Sequence, residues 1–81
     1  TFVFIAVDTS ASRTITLPAA NAVTTGRIYA IKDETGLSNT NPITIDAAGA
    51  DLIDGQANVS LASNFGCIWL ISNGVDEFLI L

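Results

Sequence analysis

The sequence predicts an all-β fold, a small antiparallel sandwich or β-prism of about eight short strands. Short runs rich in Val, Ile, Thr and aromatic residues recur along the 81 residues, and Gly, Pro, Asn and Asp separate them. Such spacing favours a sandwich, barrel or β-prism over alternating strands and helices. Hydrophobic residues make up 49% of the chain and charged residues 14%, whereas an average domain carries about 25% charged residues. For so small a protein, this composition indicates a surface partly covered by copies of the same chain.

Each strand is predicted from its own run of β-forming residues. In chain order the predicted strands are 2–7, 14–17, 27–32, 42–45, 51–53, 58–61, 67–71 and 77–81. Asn73-Gly74 lies between the last two, and Asn-Gly between apolar runs is a strong signal for a hairpin turn. Residues 19–23 have helix-favouring side chains, but the segment is long enough for only a single helical turn.

The predicted strands are of two kinds. The runs at 14–17 and 42–45 alternate apolar residues with Thr, and 58–61 follows the same rhythm with Ser, so one face meets the core and the other meets water. The runs at 2–7, 67–71 and 78–81 do not alternate, which predicts that both of their faces leave water. A single sandwich of this length has one core, and an uncovered second face would form an apolar patch of several hundred Å². We therefore expect an oligomer, with bulges and sheet edges as the alternative explanation.

The residues expected at the oligomer interface are the large apolar ones in these two-sided strands: Phe2, Phe4, Trp69, Phe78 and Ile80. The chain is expected to form a single β domain over residues 1–81. Because it opens with Thr1-Phe2-Val3-Phe4 and contains no Met, we expect it to be a fragment or terminal module of a longer chain.

The sequence favours neither catalysis nor a cofactor. It contains no His, so neither a hydroxyl nor the single cysteine, Cys67, has an imidazole base to activate it. Cys67 lies within an apolar strand and is interpreted as a packing residue. The carboxylates lie mostly at strand ends and turns, where Asp commonly caps the backbone. We expect no catalytic residue and no enzymatic activity.

A calcium site is a weaker alternative for three of the acidic residues. Asp46, Asp51 and Asp54 are close in sequence, and carboxylate oxygens are the ligands that calcium prefers. Their spacing does not match an EF-hand loop, however, and two ordinary turns explain the same residues. The favoured interpretation is therefore that the chain has no metal site.

Charge argues against two further classes of partner. The net charge is −5, and Arg13, Arg27 and Lys32 are the only basic residues. Nucleic acid binding requires clustered cations, and so does attraction to an anionic membrane surface. No apolar run approaches the ~20 residues of a membrane-spanning helix. We expect no nucleic acid partner and no membrane insertion.

The order of several motifs resembles a β-rich module of tailed-phage tail fibres and tailspikes. The motifs are TITLPAA at 14–20, GRIYAIKD at 26–33, NPITI at 41–45, DLIDG at 51–55 and WLISNG at 69–74. The resemblance covers nearly the whole chain, although this chain has Phe78 where the family often has Trp or Tyr. It implies an intimate homotrimer within a longer fibre chain. It also implies an extracellular location, on a tail fibre or another surface appendage of a virion.

Two functions remain open at this point. The first is a structural module that locks three chains of a fibre together and contributes to attachment of the virion to its host. The second is a tip that binds a host-surface glycan or protein, with Ser38, Asn39, Thr40 and Asn41 as the candidate contact loop. Tyr29 and Trp69 are the residues on which a sugar could stack. A capsid decoration or cellular adhesin domain is a further, less favoured alternative.

Overall fold

A computed structural model describes residues 2–81, which form eight strands and one short 3₁₀ turn at Ala20–Ala22. The strands are β1 (Phe2–Val7), β2 (Arg13–Thr16), β3 (Ile28–Asp33), β4 (Ile43–Asp46), β5 (Leu52–Ile53), β6 (Asn58–Leu61), β7 (Cys67–Ser72) and β8 (Glu77–Ile80). Each predicted strand lies within one residue of an observed one at both ends. The all-β fold class is thus confirmed.

The strands form two sheets, and both are mixed. The large sheet has five strands in the order β1-β3-β7-β8-β5, and the small sheet has three in the order β2-β4-β6. The expectation of an antiparallel fold was wrong, because β1–β3, β2–β4 and β5–β8 are parallel pairs. The chain leaves β1 to build β2 in the other sheet and then returns to β3. Such a crossover brings the strands side by side in the same direction, whereas a hairpin would reverse it.

The two kinds of strand recognised in the sequence separate into the two sheets. The alternating runs are β2, β4 and β6, which together make the small sheet. Its outer face carries a row of aligned hydroxyls, because Thr44 pairs with Thr14 on one side and Ser60 on the other. The non-alternating runs become β1, β7 and β8, all in the large sheet. The outward face of the small sheet is therefore polar, whereas that of the large sheet is apolar.

The core lies between the two sheets and includes side chains from both. Tyr29 of β3 meets Phe78 of β8 edge to face, with ring centroids 5.8 Å apart. The buried apolar residues of the core are Val7, Leu17, Ala20, Tyr29, Ile31, Ile43, Ile45, Ala47, Ile53, Leu61, Leu70 and Phe78. Because these residues come from nearly every strand, the two sheets depend on each other for burial.

Two of the predicted interface residues belong to this core. Phe78 is 0% exposed, and Ile80 packs against the buried cluster. The prediction that Phe78 lies at an oligomer interface is therefore corrected. Ile80 is partly buried on the same side of β8, and its place in an interface stays a prediction. Side chains on a strand alternate between its faces, so the residues of this segment that point outward are their neighbours Leu79 and Leu81, both exposed.

The predicted hairpin between the last two strands is confirmed, with a longer loop than Asn-Gly alone would make. The side-chain Oδ1 of Asn73 accepts hydrogen bonds from the backbone N–H groups of Val75, Asp76 and Glu77. Gly74 has φ +77°, which a glycine adopts without steric cost. This loop fixes β8 against β7 and thereby seats Phe78 in the core.

Replacing Phe78 with Ala should destabilise the chain by about 3–5 kcal/mol, because it removes a fully buried ring and leaves a cavity. Urea unfolding followed by circular dichroism measures this change. Val75→Ala is the matched control in the same hairpin, where an exposed side chain should change stability by less than about 0.5 kcal/mol. Equal effects of the two substitutions would contradict the placement of Phe78.

Candidate functional site

The outer side of the large sheet is the most distinctive surface of the molecule. Pairing of the strands aligns large apolar side chains across it, and they remain exposed in the single chain. We call this surface the outer apolar face, and its exposed large residues are Phe2, Phe4, Leu52, Trp69, Leu79 and Leu81. The non-alternating strands were expected to leave a second apolar face uncovered. In the structure, their exposed apolar residues lie together on one side of the large sheet.

Two aromatic rings on this face stack on each other. Phe2 of β1 stacks on Trp69 of β7 with ring centroids 5.0 Å apart and an angle of 29° between the planes. Strand β3 runs between them, where Ala30 is the cross-strand partner of Trp69. Ala30 is fully buried although it lies on the outer side. In the register, Ala30 lies between Phe4 and Trp69, while Phe2 is opposite Ile28. The small Ala30 leaves room above β3, and Phe2 reaches diagonally across it to stack on Trp69.

The size and charge of the outer apolar face suit a protein contact. Phe2 is 50% exposed, Phe4 57% and Trp69 43%. With the exposed leucines, the apolar area is on the order of 500 Å². A stable interface buries roughly 800 Å² on each partner, so this face would supply the greater part of one. On the described strands of the sheet, Lys32 and Glu77 are its charged residues, toward the ends of their strands.

Three of the predicted interface residues are on this face, and three of its members were missed. Phe2, Phe4 and Trp69 lie there, and their place in an oligomer interface stays a prediction. Leu79 and Leu81 were missed because a continuous apolar run does not reveal which alternate positions point inward. Leu52 was missed because β5 has two residues, too few to show a pattern.

A buried carboxylate organises one end of the molecule. Asp33, at the end of β3, is 0% exposed. Its Oδ1 accepts hydrogen bonds from the hydroxyl of Thr9 at 2.7 Å and the N–H of Gly36 at 2.9 Å. Its Oδ2 accepts from the N–H groups of Ser38 and Phe65, each at 3.0 Å. One side chain thus joins the loops that follow β1, β3 and β6.

This network decides which residues of the predicted contact loop are accessible. Ser38 is fully buried and donates its hydroxyl to the carbonyl of Ser63 at 2.6 Å, so its assignment as a receptor contact is corrected. Asn41 is half-buried, and its amide donates to the carbonyl of Thr9. Asn39 and Thr40 are exposed. The accessible part of the loop is therefore its tip.

The sequence did not single out the aromatic residue beside this loop. Phe65 is 58% exposed and has φ +57°, a conformation that is an outlier for a bulky residue. A Cβ at Gly36 would lie 2.3 Å from its ring, so the ring packs closely over that glycine. The carbonyl of Phe65 accepts a hydrogen bond from Lys32. No sequence pattern marks an exposed Phe in a turn, because its position depends on the buried Asp33.

The three carboxylates considered for calcium have separate surroundings. Asp51 Oδ2 accepts the N–H of Ala20 at 2.8 Å, and Asp54 Oδ1 accepts the N–H of Ile80 at 3.0 Å. Asp46 lies in β4. Within residues 2–81, no group of three potential ligands is close enough to hold a metal ion. The structure thus gives Asp51 and Asp54 capping roles.

Cys67 lies on the outer side of β7, where it pairs with Lys32 and is exposed. Its interpretation as a buried packing residue is therefore corrected. In the described part of the chain, no helix is long and apolar enough to span a membrane. Comparison of the sequence with models of known families and with curated proteins finds no match.

Stability should fall in acid because of Asp33. Burial raises the pKa of this carboxyl, but hydrogen bonds from Thr9, Ser38 and Gly36 outweigh burial and hold the pKa well below its usual value of 3.8. A depressed folded-state pKa stabilises the protein above the unfolded pKa of about 3.9, and this contribution is lost as pH falls through the folded value.

Urea midpoints measured from pH 6 to pH 2 test this prediction. Asp33→Asn should lower the midpoint at pH 6 and flatten its fall in acid, because an amide NH₂ then faces backbone donors. Glu34→Gln, at the exposed neighbouring position, removes the same charge and should leave the steep fall in place. A wild-type midpoint that is unchanged down to pH 2 would contradict the role of Asp33.

Proposed function

We propose that this chain is a non-enzymatic structural module of a phage tail fibre or tailspike, where it holds three chains together and contributes to attachment of the virion to its host. The observation that carries the self-association is the outer apolar face of the large sheet. The three-fold number, the fibre and the virion location rest on the motif order in the sequence, which resembles such modules.

Copies of this chain are the occupant that the surface favours. The protein has a net charge of −5, so copies repel each other at long range, and a contact between them has to bury enough apolar area to outweigh this repulsion. The outer apolar face provides such a contact, since Trp69 lies on its middle strand and its charges lie toward the strand ends. Large aromatic residues buried at the centre of an interface are the usual source of binding energy.

Sedimentation or light scattering at micromolar concentration tests this proposal. The wild-type protein should have the mass of a trimer, and Trp69→Asp or Leu79→Asp should yield folded monomers, because each variant would place an unpaired charge in the interface. Thr14→Asp, on the exposed outer side of the small sheet, is the matched control and should leave the mass unchanged. A monomeric wild type, or an intact trimer in both Asp variants, would overturn the proposal.

A second candidate function is recognition of a host-surface glycan or protein, and the exposed Phe2–Trp69 stack favours it. Flat aromatic rings are able to stack on sugar rings, and Trp69 is 43% exposed in the single chain. This function predicts that a monomeric wild type binds host cells and that Trp69→Ala abolishes binding without changing the mass.

If the module forms a trimer and also binds the host, the accessible loop is the remaining contact. Asn39→Ala with Thr40→Ala should then reduce binding to host cells several-fold while the mass stays that of the trimer. Ser38→Ala is the informative comparison, because it removes a buried hydroxyl and should lower the unfolding midpoint instead. Unchanged binding in the Asn39 and Thr40 double variant would exclude this loop.

A further inference from the structure

The two edges of the large sheet differ in whether another strand can join them. At one edge, β5 has two residues, and the backbone of Ile53 exchanges both of its outward hydrogen bonds with Gln56. Asp54 follows with φ +46°, and its carboxylate takes the N–H of Ile80. A short strand, a tight turn and a charged side chain are devices that prevent strand addition. This edge is closed.

The opposite edge, formed by β1, has none of these features. β1 is six residues long, with the sequence FVFIAV, and pairs with β3 alone. It contains no charge, Pro or Gly. The edges of the small sheet differ from it, since β2 exposes Arg13 and Thr14 and β6 exposes Asn58 and Ser60. Among the described strands, β1 is the long apolar edge left open, which is a template for pairing with another strand.

The backbone groups available on this edge can be identified. The N–H of Glu34 donates to the carbonyl of Val7 at 2.9 Å, so the polar groups of Val7 point toward β3. Because the direction alternates along a strand, those of Phe2, Phe4 and Ala6 point to the open edge. The side chains of the same three residues lie on the outer side of the sheet and are exposed.

We propose that the β1 edge pairs with β1 of a second copy of this chain, antiparallel and centred on Phe4. Because the other edge of the sheet is closed, a sheet extended by copies of this chain has to join β1 to β1, and a contact between identical surfaces is two-fold. With Phe4 at the axis, all three outward-facing residues exchange hydrogen bonds. Phe2 then lies beside Ala6 of the other copy, so a large side chain meets a small one.

This contact uses the edge of the sheet and does not rest on the proposed function. It extends the outer apolar face from one copy into the next, because Phe4 meets Phe4 on that side. A two-fold axis reverses the strand direction. If the outer apolar face closes a three-fold assembly, the β1 contact therefore joins chains of different assemblies.

Thiol cross-linking with a short bifunctional reagent tests the pairing and its register. In a Cys67→Ser background, Phe4→Cys should give a covalent dimer, because the two Cα atoms would be about 5.5 Å apart. Ala6→Cys is the matched control on the same edge, where the two Cα atoms would be about 14 Å apart, and its dimer yield should be several-fold lower. A mixture of Phe2→Cys chains with Ala6→Cys chains should also cross-link, because these two positions are paired in the proposed register. The mixture retains Phe4 and therefore tests the register even if loss of Phe4 impairs folding.

Repeating the Phe4→Cys cross-linking in the Trp69→Asp background distinguishes a contact through the β1 edge from one through the outer apolar face. The Phe4→Cys dimer should persist there, since the edge does not use Trp69. Loss of the dimer would overturn the proposal by assigning the contact to the face. Equal yields from Phe4→Cys and Ala6→Cys, or no dimer from folded Phe4→Cys and from the mixture, would also overturn it. The mass of the unmodified wild type, measured separately, reports on the proposed trimer alone.

Discussion

The buried carboxylate of Asp33 is the interaction on which the loops at one end of this protein depend. It lies where β3 ends, and its four partners belong to three different loops. A buried charge is costly unless hydrogen bonds replace its water, so these loops must keep their positions if Asp33 is to stay ionised. The strand ends of the large sheet are thereby fixed to one another. The loop tip at Asn39 and the exposed ring of Phe65 are presented by this fixed framework.

The second constraint is that one short chain has to build a sheet with two apolar sides. The inner side packs on the small sheet and forms the core, which includes Phe78 and Leu70 at 0% exposure. The outer side has no layer of the same chain over it. The small sheet carries hydroxyls on its outer face, and the large sheet carries aromatic rings on its outer face. The molecule therefore has one polar side and one apolar side. An assembly of copies through the outer apolar face would consequently place the large sheets inside and the small sheets outside.

How much could be predicted from the sequence depended on whether the signal was local. Strand positions were local, since Thr14 and Thr44 alternate with isoleucine and Asn73-Gly74 marks the last hairpin. The separation of the two strand classes into two sheets follows from the same alternation. Strand direction was not local, because β1 and β3 become parallel only when β2 joins the other sheet. Whether Phe78 or its neighbour Leu79 points into the core depends on the strand register, since a shift of one residue exchanges the two faces. A continuous apolar run does not contain that information.

The residues of the candidate site follow the same rule: those with a local signal were predictable, and those placed by tertiary contacts were not. Phe2, Phe4 and Trp69 were found because they are large and lie in two-sided strands. Ser38 was misassigned because its burial is set by Asp33, five residues earlier, through a hydrogen bond from its N–H. Phe65 was missed because a positive φ in a loop depends on its tertiary partners. The loops at this end of the molecule are organised by one buried acid that looks, in the sequence, like an ordinary turn residue.

The two candidate functions compete for the same side chains. An assembly that covers the outer apolar face buries Phe2 and Trp69, and rings in an interface are no longer able to stack on a sugar. Receptor contact by an assembled module therefore has to come from surfaces that the assembly leaves free. Asn39 and Thr40 meet that condition, because their loop is held by Asp33 beyond the end of β3 and not on the outer face of the sheet. A self-associating module and a binding tip are thus compatible in one protein only if the rings serve the first role and the loop serves the second.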